Sequence, residues 1–190
     1  MKDISLIGFM GCGKSSVGKI LATLLPECRL IDLDTYIEEK QGKNIPEIFN
    51  EYGEAAFRRM EREALEEIFS DKSRPRAILS LGGGTVTSEL CRQLIRQHTD
   101  CFYLRATTDT LLDNLEGHSD GRPMLNPAQP VEAQSTETSS EREALRRRIE
   151  SLMQTRSPQY LATANHIIDI DGLSFAQIAE AVEDNILNIK

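Results

Sequence analysis

Eight residues near the start of the chain have the types and the spacing to hold a phosphate. Gly8-Phe9-Met10-Gly11-Cys12-Gly13-Lys14-Ser15 fits the pattern G-x-x-x-x-G-K-[ST]. Glycines at 8, 11 and 13 let the backbone curl so that successive N–H groups point inward at phosphate oxygens. A helix opening where the loop ends adds the positive end of its dipole. Lys14 then supplies a mobile charge for the β- and γ-phosphates, and Ser15 a hydroxyl for Mg²⁺.

Other residues are equipped for chemistry but read two ways. Asp32 and Asp34 alternate at the end of an apolar run, and side chains two apart on an extended segment share a side. One carboxylate suits Mg²⁺ through its water shell. The other can orient or deprotonate an acceptor hydroxyl, although Asp34 would also cap a helix beginning at Thr35. Gly82-Gly83-Gly84 either lets a ligand approach the backbone closely or forms a plain turn. On pattern alone Arg58, Arg59 and Arg62 read as a solvated face, and Arg156, before Ser157-Pro158, as a helix-end charge. Arg122, in Gly121-Arg122-Pro123, reads as a loop charge. In a phosphate-transfer enzyme it could swing onto the transferring group.

These groups must be positioned by a strand-and-helix alternation that the apolar spacing outlines. Strands are expected at Ile4–Ile7, Arg29–Leu33, Ala77–Leu81, Cys101–Leu104 and His166–Asp169. Between them come a helix carrying Val17, Ile20, Leu21, Leu24 and Leu25, then helical stretches at Thr35–Gln41, Pro46–Tyr52 and about Glu54–Phe69. Later helices fall at about Ser88–Gln97, Thr108–Leu115, about Glu141–Thr155 and Ser174–Ile189. Such alternation implies a parallel sheet covered on both faces, with ligands beyond the carboxyl ends of its strands. The phosphate loop, Asp32/Asp34 and Gly82–Gly84 all follow strand ends, so they should open onto one cleft. Residues 116–140, rich in Gly and Pro and then in Ser, Thr and Glu, cannot bury a core and read as a long functional or mobile segment.

At 190 residues one domain is expected. The apolar content of 39% and charged content of 27% suit a globular protein without a membrane span. The chain runs straight into its first strand, leaving no room for a signal peptide, so the cytoplasm is expected. A net charge of −8 argues against a nucleic-acid partner. Anionic ligands must therefore be held by a few placed cations. Cys12, Cys28, Cys91 and Cys101 form no C-x-x-C pair and have no His at zinc spacing, which suits reduced thiols. Cys12 reads as a small loop-filling side chain or a modifiable thiol.

Taken together, the motifs resemble those of the shikimate kinases. Gly8 through Gly18, Asp32-Leu33-Asp34, Phe57-Arg58 with Glu61, Gly82–Gly84, Arg122-Pro123-Met124-Leu125 and Arg156-x-x-x-Tyr160 match in order and spacing over nearly the whole chain. The resemblance implies a three-layer α/β P-loop fold of the nucleoside-monophosphate-kinase group. Its five-stranded parallel sheet would run in the order 2-3-1-4-5, in a single domain with substrate-binding helices at about 34–69 and a mobile lid at about 116–140. It implies transfer of the γ-phosphoryl of MgATP to the 3-hydroxyl of shikimate, by a monomer that binds neither nucleic acid nor membrane. ATP would be bound by Gly11, Cys12, Gly13, Lys14, Ser15, Ser16 and Arg122, and Mg²⁺ by Ser15 and Asp32. Shikimate would be bound by Asp34, Arg58, Gly82, Gly83, Gly84 and Arg156. Lys14, Asp34 and Arg122 would be catalytic, Asp34 holding the acceptor hydroxyls or acting as base. Arg58 and Arg156 would face the carboxylate, as two cations facing one anion should. The chain departs from the pattern in three places. Ser16 stands where Thr is common, a polar run follows at 127–140, and Leu115 occupies the position of an adenine-stacking Arg. The rival readings are a gluconate-type kinase and a nucleotide-dependent switch. The switch lacks N-K-x-D, and its D-x-x-G match, Asp169-Ile170-Asp171-Gly172, reads as a turn after the last strand.

Overall fold

A computed structural model describes residues 2–116 and 137–188, and the side chains of 137–140 are not among those described. Five strands, β1 (Asp3–Ile7), β2 (Arg29–Asp32), β3 (Ala77–Ser80), β4 (Thr99–Arg105) and β5 (His166–Asp169), form one sheet in the order β2-β3-β1-β4-β5. Every pairing is parallel, with Ser5 opposite both Leu79 and Cys101. The expected topology is therefore the observed one.

The helices are α1 (Lys14–Leu24), α2 (Leu33–Gln41), α3 (Ile45–Ser70), α4 (Glu89–His98), α5 (Thr108–Leu115), α6 (Glu137–Thr163) and α7 (Phe175–Asn188). Period-two alternation along each strand divides the core between the two faces. Ile4, Leu6, Phe102 and Leu104 pack with Val17 and Leu21 of α1 and Ile178 and Val182 of α7. Ile7, Leu79, Cys101 and Tyr103 pack on the other side with Ile37, Phe57, Leu65, Ile95 and Tyr160. All four cysteines are buried free thiols.

Three local features shape the site. First, α3 is broken at Gly53 (φ 75°, ψ 170°), where the sequence shows two helical stretches. The piece before the break opens with a capping box between Asn44 and Glu47. Second, α6 does not stop at Thr155 as its sequence suggests but continues through Pro158 to Thr163. Proline there removes one helical donor, and the carbonyl left over belongs to solvent-exposed Gln154. Arg156 is consequently an interior helix residue, not a helix-end charge. Third, Asp171 accepts hydrogen bonds from the N–H and hydroxyl of Thr107 and from Thr110 Oγ1. The D-x-x-G match is thus a turn that fastens the β5–α7 loop to the start of α5.

Candidate active site

A cleft of about 750 Å³ lies beyond the carboxyl ends of β1, β2 and β3. Met10, Gly11, Gly13, Lys14, Ser15 and Ser16 line it from the phosphate loop. Gly13 adopts the left-handed conformation (φ 87°) and forms the N-cap of α1. A side chain there would strike the ring of Phe175 as well as strain the backbone. Lys14 is buried, and its Nζ donates to the carbonyls of Gly8 (2.9 Å) and Phe9 (3.0 Å). Cys12 turns its sulfur inward, within 3.8 Å of Lys14 Nζ. Its side chain is in the core and its N–H donates to the Phe9 carbonyl, so a readily modified thiol does not fit.

The two aspartates reach the cleft by a different route from the one their spacing suggests. The strand ends at Asp32 and α2 starts at Leu33, so the pair does not share one extended segment. Asp32 is the N-cap of α2, accepting from the N–H groups of Asp34 and Thr35. Its other oxygen accepts from Ser15 Oγ at 2.7 Å. Ser80, the register partner of Asp32 on β3, lies 3.2 Å from the same hydroxyl. The chain thereby brings a carboxylate and two hydroxyls together, a hard-oxygen set that fits Mg²⁺. Ser80 escaped the sequence reading because only the register of two strands brings it to Asp32.

Asp34, freed from capping, stands in the first turn of α2. A Cβ on Gly82 would lie 3.0 Å from both Asp34 Oδ1 and Glu61 Oε1, so glycine is what lets these carboxyls approach the loop. Desolvation, reinforced by the nearby Glu61 and Asp32, pushes the Asp34 carboxyl up to about 7, against a counter-pull from Lys14. That value suits a group that takes a proton near neutrality.

Arg58 and Arg156 are both drawn into the cleft. Arg58 Nη1 donates to Glu61 at 2.7 Å and Nη2 to Glu54 at 3.0 Å. Its guanidinium fills the space a side chain on Gly84 would need. Glu61 is fully buried and also accepts from Thr85 Oγ1. Its place three residues after Arg58 gives it no role in the sequence, and the structure makes it the anchor of that arginine. Neighbouring Arg59 is exposed. Arg156 is 3% exposed, stands over the ring of Phe9, reaches the Gly83 carbonyl with Nη1 at 3.4 Å, and interacts with the side chain of Tyr160. Among the described residues no carboxylate lies within ion-pair distance of it. Burial and the like charge of Arg58 pull its pKa down. Ile45, Phe49, Phe57 and Leu81 complete this end with apolar surface.

The structure therefore brings together Lys14, Ser15, Ser16, Asp32, Asp34, Arg58, Gly82, Gly83, Gly84 and Arg156. Arg122 and most of the 116–140 segment lie outside the described residues. The family model described as shikimate kinase matches residues 10–186. The chain belongs to the shikimate kinase family. Its relatives include the shikimate kinases of Sulfurihydrogenibium sp. (36% identical, 96% of each chain covered) and Chlorobaculum tepidum (38%, 98% of this chain and 94% of the relative). Among solved structures it resembles the shikimate kinase of Acinetobacter baumannii in complex with shikimate. The TM-score is 0.82 at 29% identity, covering 100% of this chain and 95% of the other.

The nucleotide end of the cleft is built from α5 and the start of α7. Leu115, at the position where some members carry an adenine-stacking Arg, is buried and packs beneath Gly11. Phe175, 41% exposed at the first position of α7, instead lies over Gly13 and lines the cleft with Asp113 and Asn114. Asn114 Nδ2 donates to the Gly11 carbonyl. An aromatic residue just after the last strand was the available sequence signal, but nothing in its spacing ties it to residue 13.

Proposed function

We propose that this chain transfers the γ-phosphoryl group of ATP to the 3-hydroxyl of shikimate, giving ADP and shikimate 3-phosphate for the chorismate route to aromatic amino acids. The observation that carries the reading is Arg156: a buried guanidinium with no carboxylate partner among the described residues, beside Arg58, at the end of a cleft whose other end is a phosphate loop. Two guanidiniums there fit one carboxylate bidentately, and the apolar side chains around them fit a carbon ring. The Acinetobacter relative, solved with shikimate, supports the same acceptor.

In this reading the N–H groups of the loop and Lys14 hold the triphosphate, while Ser15, Asp32 and Ser80 hold Mg²⁺. The cation, when bound, offsets charge on the phosphate oxygens. Asp34 orients the acceptor hydroxyl, and its raised pKa lets it accept the hydroxyl proton as the oxygen attacks. Glu61 holds Arg58 against Gly84 so that the acceptor's carboxylate sets the ring's orientation. Arg122 is assigned to the transferring phosphoryl group, on the resemblance alone. Phe175 offers its ring to the base in place of the missing Arg. We further read the chain as one kinase domain acting as a cytoplasmic monomer. Among the described residues no helix is long and apolar enough to cross a membrane.

The test is ADP release from MgATP with a panel of acceptors. Shikimate should drive turnover far above gluconate and above the acceptor-free rate. Equal rates with gluconate would favour the gluconate-type reading, and a comparable acceptor-free rate the switch. For the base contact, Phe175→Ala should raise the KM for ATP by roughly five- to tenfold, the worth of a stacked ring, and leave the KM for shikimate unchanged. An unchanged KM for ATP removes Phe175 from the nucleotide site.

A further inference from the structure

The Gly83 carbonyl is claimed by two donors of very different quality. Tyr160 Oη donates to it at 2.5 Å, while Arg156 Nη1 stands off at 3.4 Å. Both donors come from α6, four residues apart and so on one face of the helix. The Tyr160 ring is fully buried and stacks on Tyr103 of β4, centroids 4.9 Å apart at 23°. The sheet therefore fixes where the hydroxyl sits, independently of any ligand. Burial also pushes the phenol pKa upward, so the group remains an O–H donor throughout the working range. Neighbouring carbonyls of the glycine turn are bonded by other means: Gly82 to Thr85 N–H, and Gly84 to Thr87 N–H and Oγ1.

We propose that Tyr160 is a positioning residue for recognition of the acceptor's carboxylate: by taking up the Gly83 carbonyl, it leaves the Arg156 guanidinium free to face the ligand. The proposal rests on the assignment of Arg156 to that carboxylate. The Gly83 carbonyl is part-buried at the cleft wall, and a backbone carbonyl there takes whichever donor is in reach. If the hydroxyl is removed, the donor already poised beside it is Arg156, and a charge-assisted bond would form at the expense of the site. The guanidinium, closing the distance from 3.4 Å, would be tied to the protein's own backbone. The spacing in Arg156-x-x-x-Tyr160 then has a physical reason. One residue binds, and the residue one turn later keeps it from binding itself.

Tyr160→Phe deletes one oxygen and keeps the stacked ring. The KM for shikimate should rise about tenfold, the scale of one weakened charge-assisted bond, with kcat at saturation and the KM for ATP within about twofold of wild type. With shikimate methyl ester, which lacks the anion, wild type and variant should behave alike. In an Arg156→Ala background the same substitution should add nothing, because the effect runs through that arginine. Placing 4-aminophenylalanine at 160, which keeps a donor of the same reach, should restore the KM. An unchanged shikimate KM in Tyr160→Phe overturns the proposal, as does an equal loss with the ester. So does a Phe variant that does not fold, since the hydroxyl would then be a folding requirement. Should Arg156→Ala itself leave the shikimate KM unchanged, it is the carboxylate assignment that fails, and with it the basis of the inference.

Discussion

Asp34→Asn should lower kcat by about 10²–10⁴-fold, the range of a lost general base, and at the same time make the folded chain more resistant to urea at about pH 8. Both effects follow from one environment. The carboxyl sits against Glu61 and Asp32 in a partly desolvated pocket that pushes it up to about 7 from an ordinary 3.8. Between those values the folded chain holds a proton that the unfolded chain has released, so stability falls as pH rises through the window. Above it, the ionised carboxylate carries the full penalty. Asparagine has the same shape and no charge, so at about pH 8 the variant should gain on the order of 1–3 kcal/mol, a gain that vanishes near pH 4. The activity of the wild type should fall on the acid side of about pH 7, and the residual activity of the variant should lack that limb. Urea titrations at both ends of the window and a pH–rate profile for each protein test the pair of claims. A kcat within tenfold of wild type would leave Asp34 as a holder of hydroxyls only. An active site that costs stability is a familiar trade.

The sheet was legible because each strand is a short apolar run followed by a turn signal, and the order of its strands came with the family resemblance. Gly53 was legible too, since it interrupts two helical patterns at a single residue. The end of α6 was not. Its apolar stripe of Leu145, Ile149, Leu152 and Met153 runs out before the proline, and Pro158 imitates a stop that solvent exposure of Gln154 makes unnecessary. Arg58 and Arg59 are adjacent and chemically identical. Only the gap above Gly84 and the carboxylate of Glu61 decide which of them turns inward, and both belong to other turns of the chain. Ser80 and Phe175 needed contacts between segments far apart in sequence, with Asp32 and Gly13 respectively. The motif residues were thus readable one by one. The partners that hold them at their angles were not.

Arg58 and Arg156 serve the same anion in the proposed reaction, yet their removal should have opposite consequences for folding. Arg58→Ala strands Glu61, a fully buried carboxylate, with Thr85 as its remaining close donor. Leaving such a charge unpaired costs about 3–5 kcal/mol. Burial already holds the Glu61 pKa above its ordinary value despite Arg58, and without the arginine it should rise further. The penalty should therefore be present near neutrality and shrink as pH falls and Glu61 takes up a proton. Arg156→Ala breaks no ion pair: it removes a buried cation that has no carboxylate partner among the described residues, so the unfolding free energy should stay within about 1 kcal/mol of wild type or rise. For the acceptor the two should look alike, each raising the KM for shikimate about 10²-fold or more while the KM for ATP holds. Melting curves near pH 5 and pH 8, set beside the two KM values, separate the roles. Adding Glu61→Gln to Arg58→Ala should recover much of the lost stability and none of the lost affinity, because the stability loss belongs to the carboxylate and the affinity loss to the guanidinium. If both single variants instead melt together, the difference in their partners has no energetic weight, and Glu61 is not what keeps Arg58 in place.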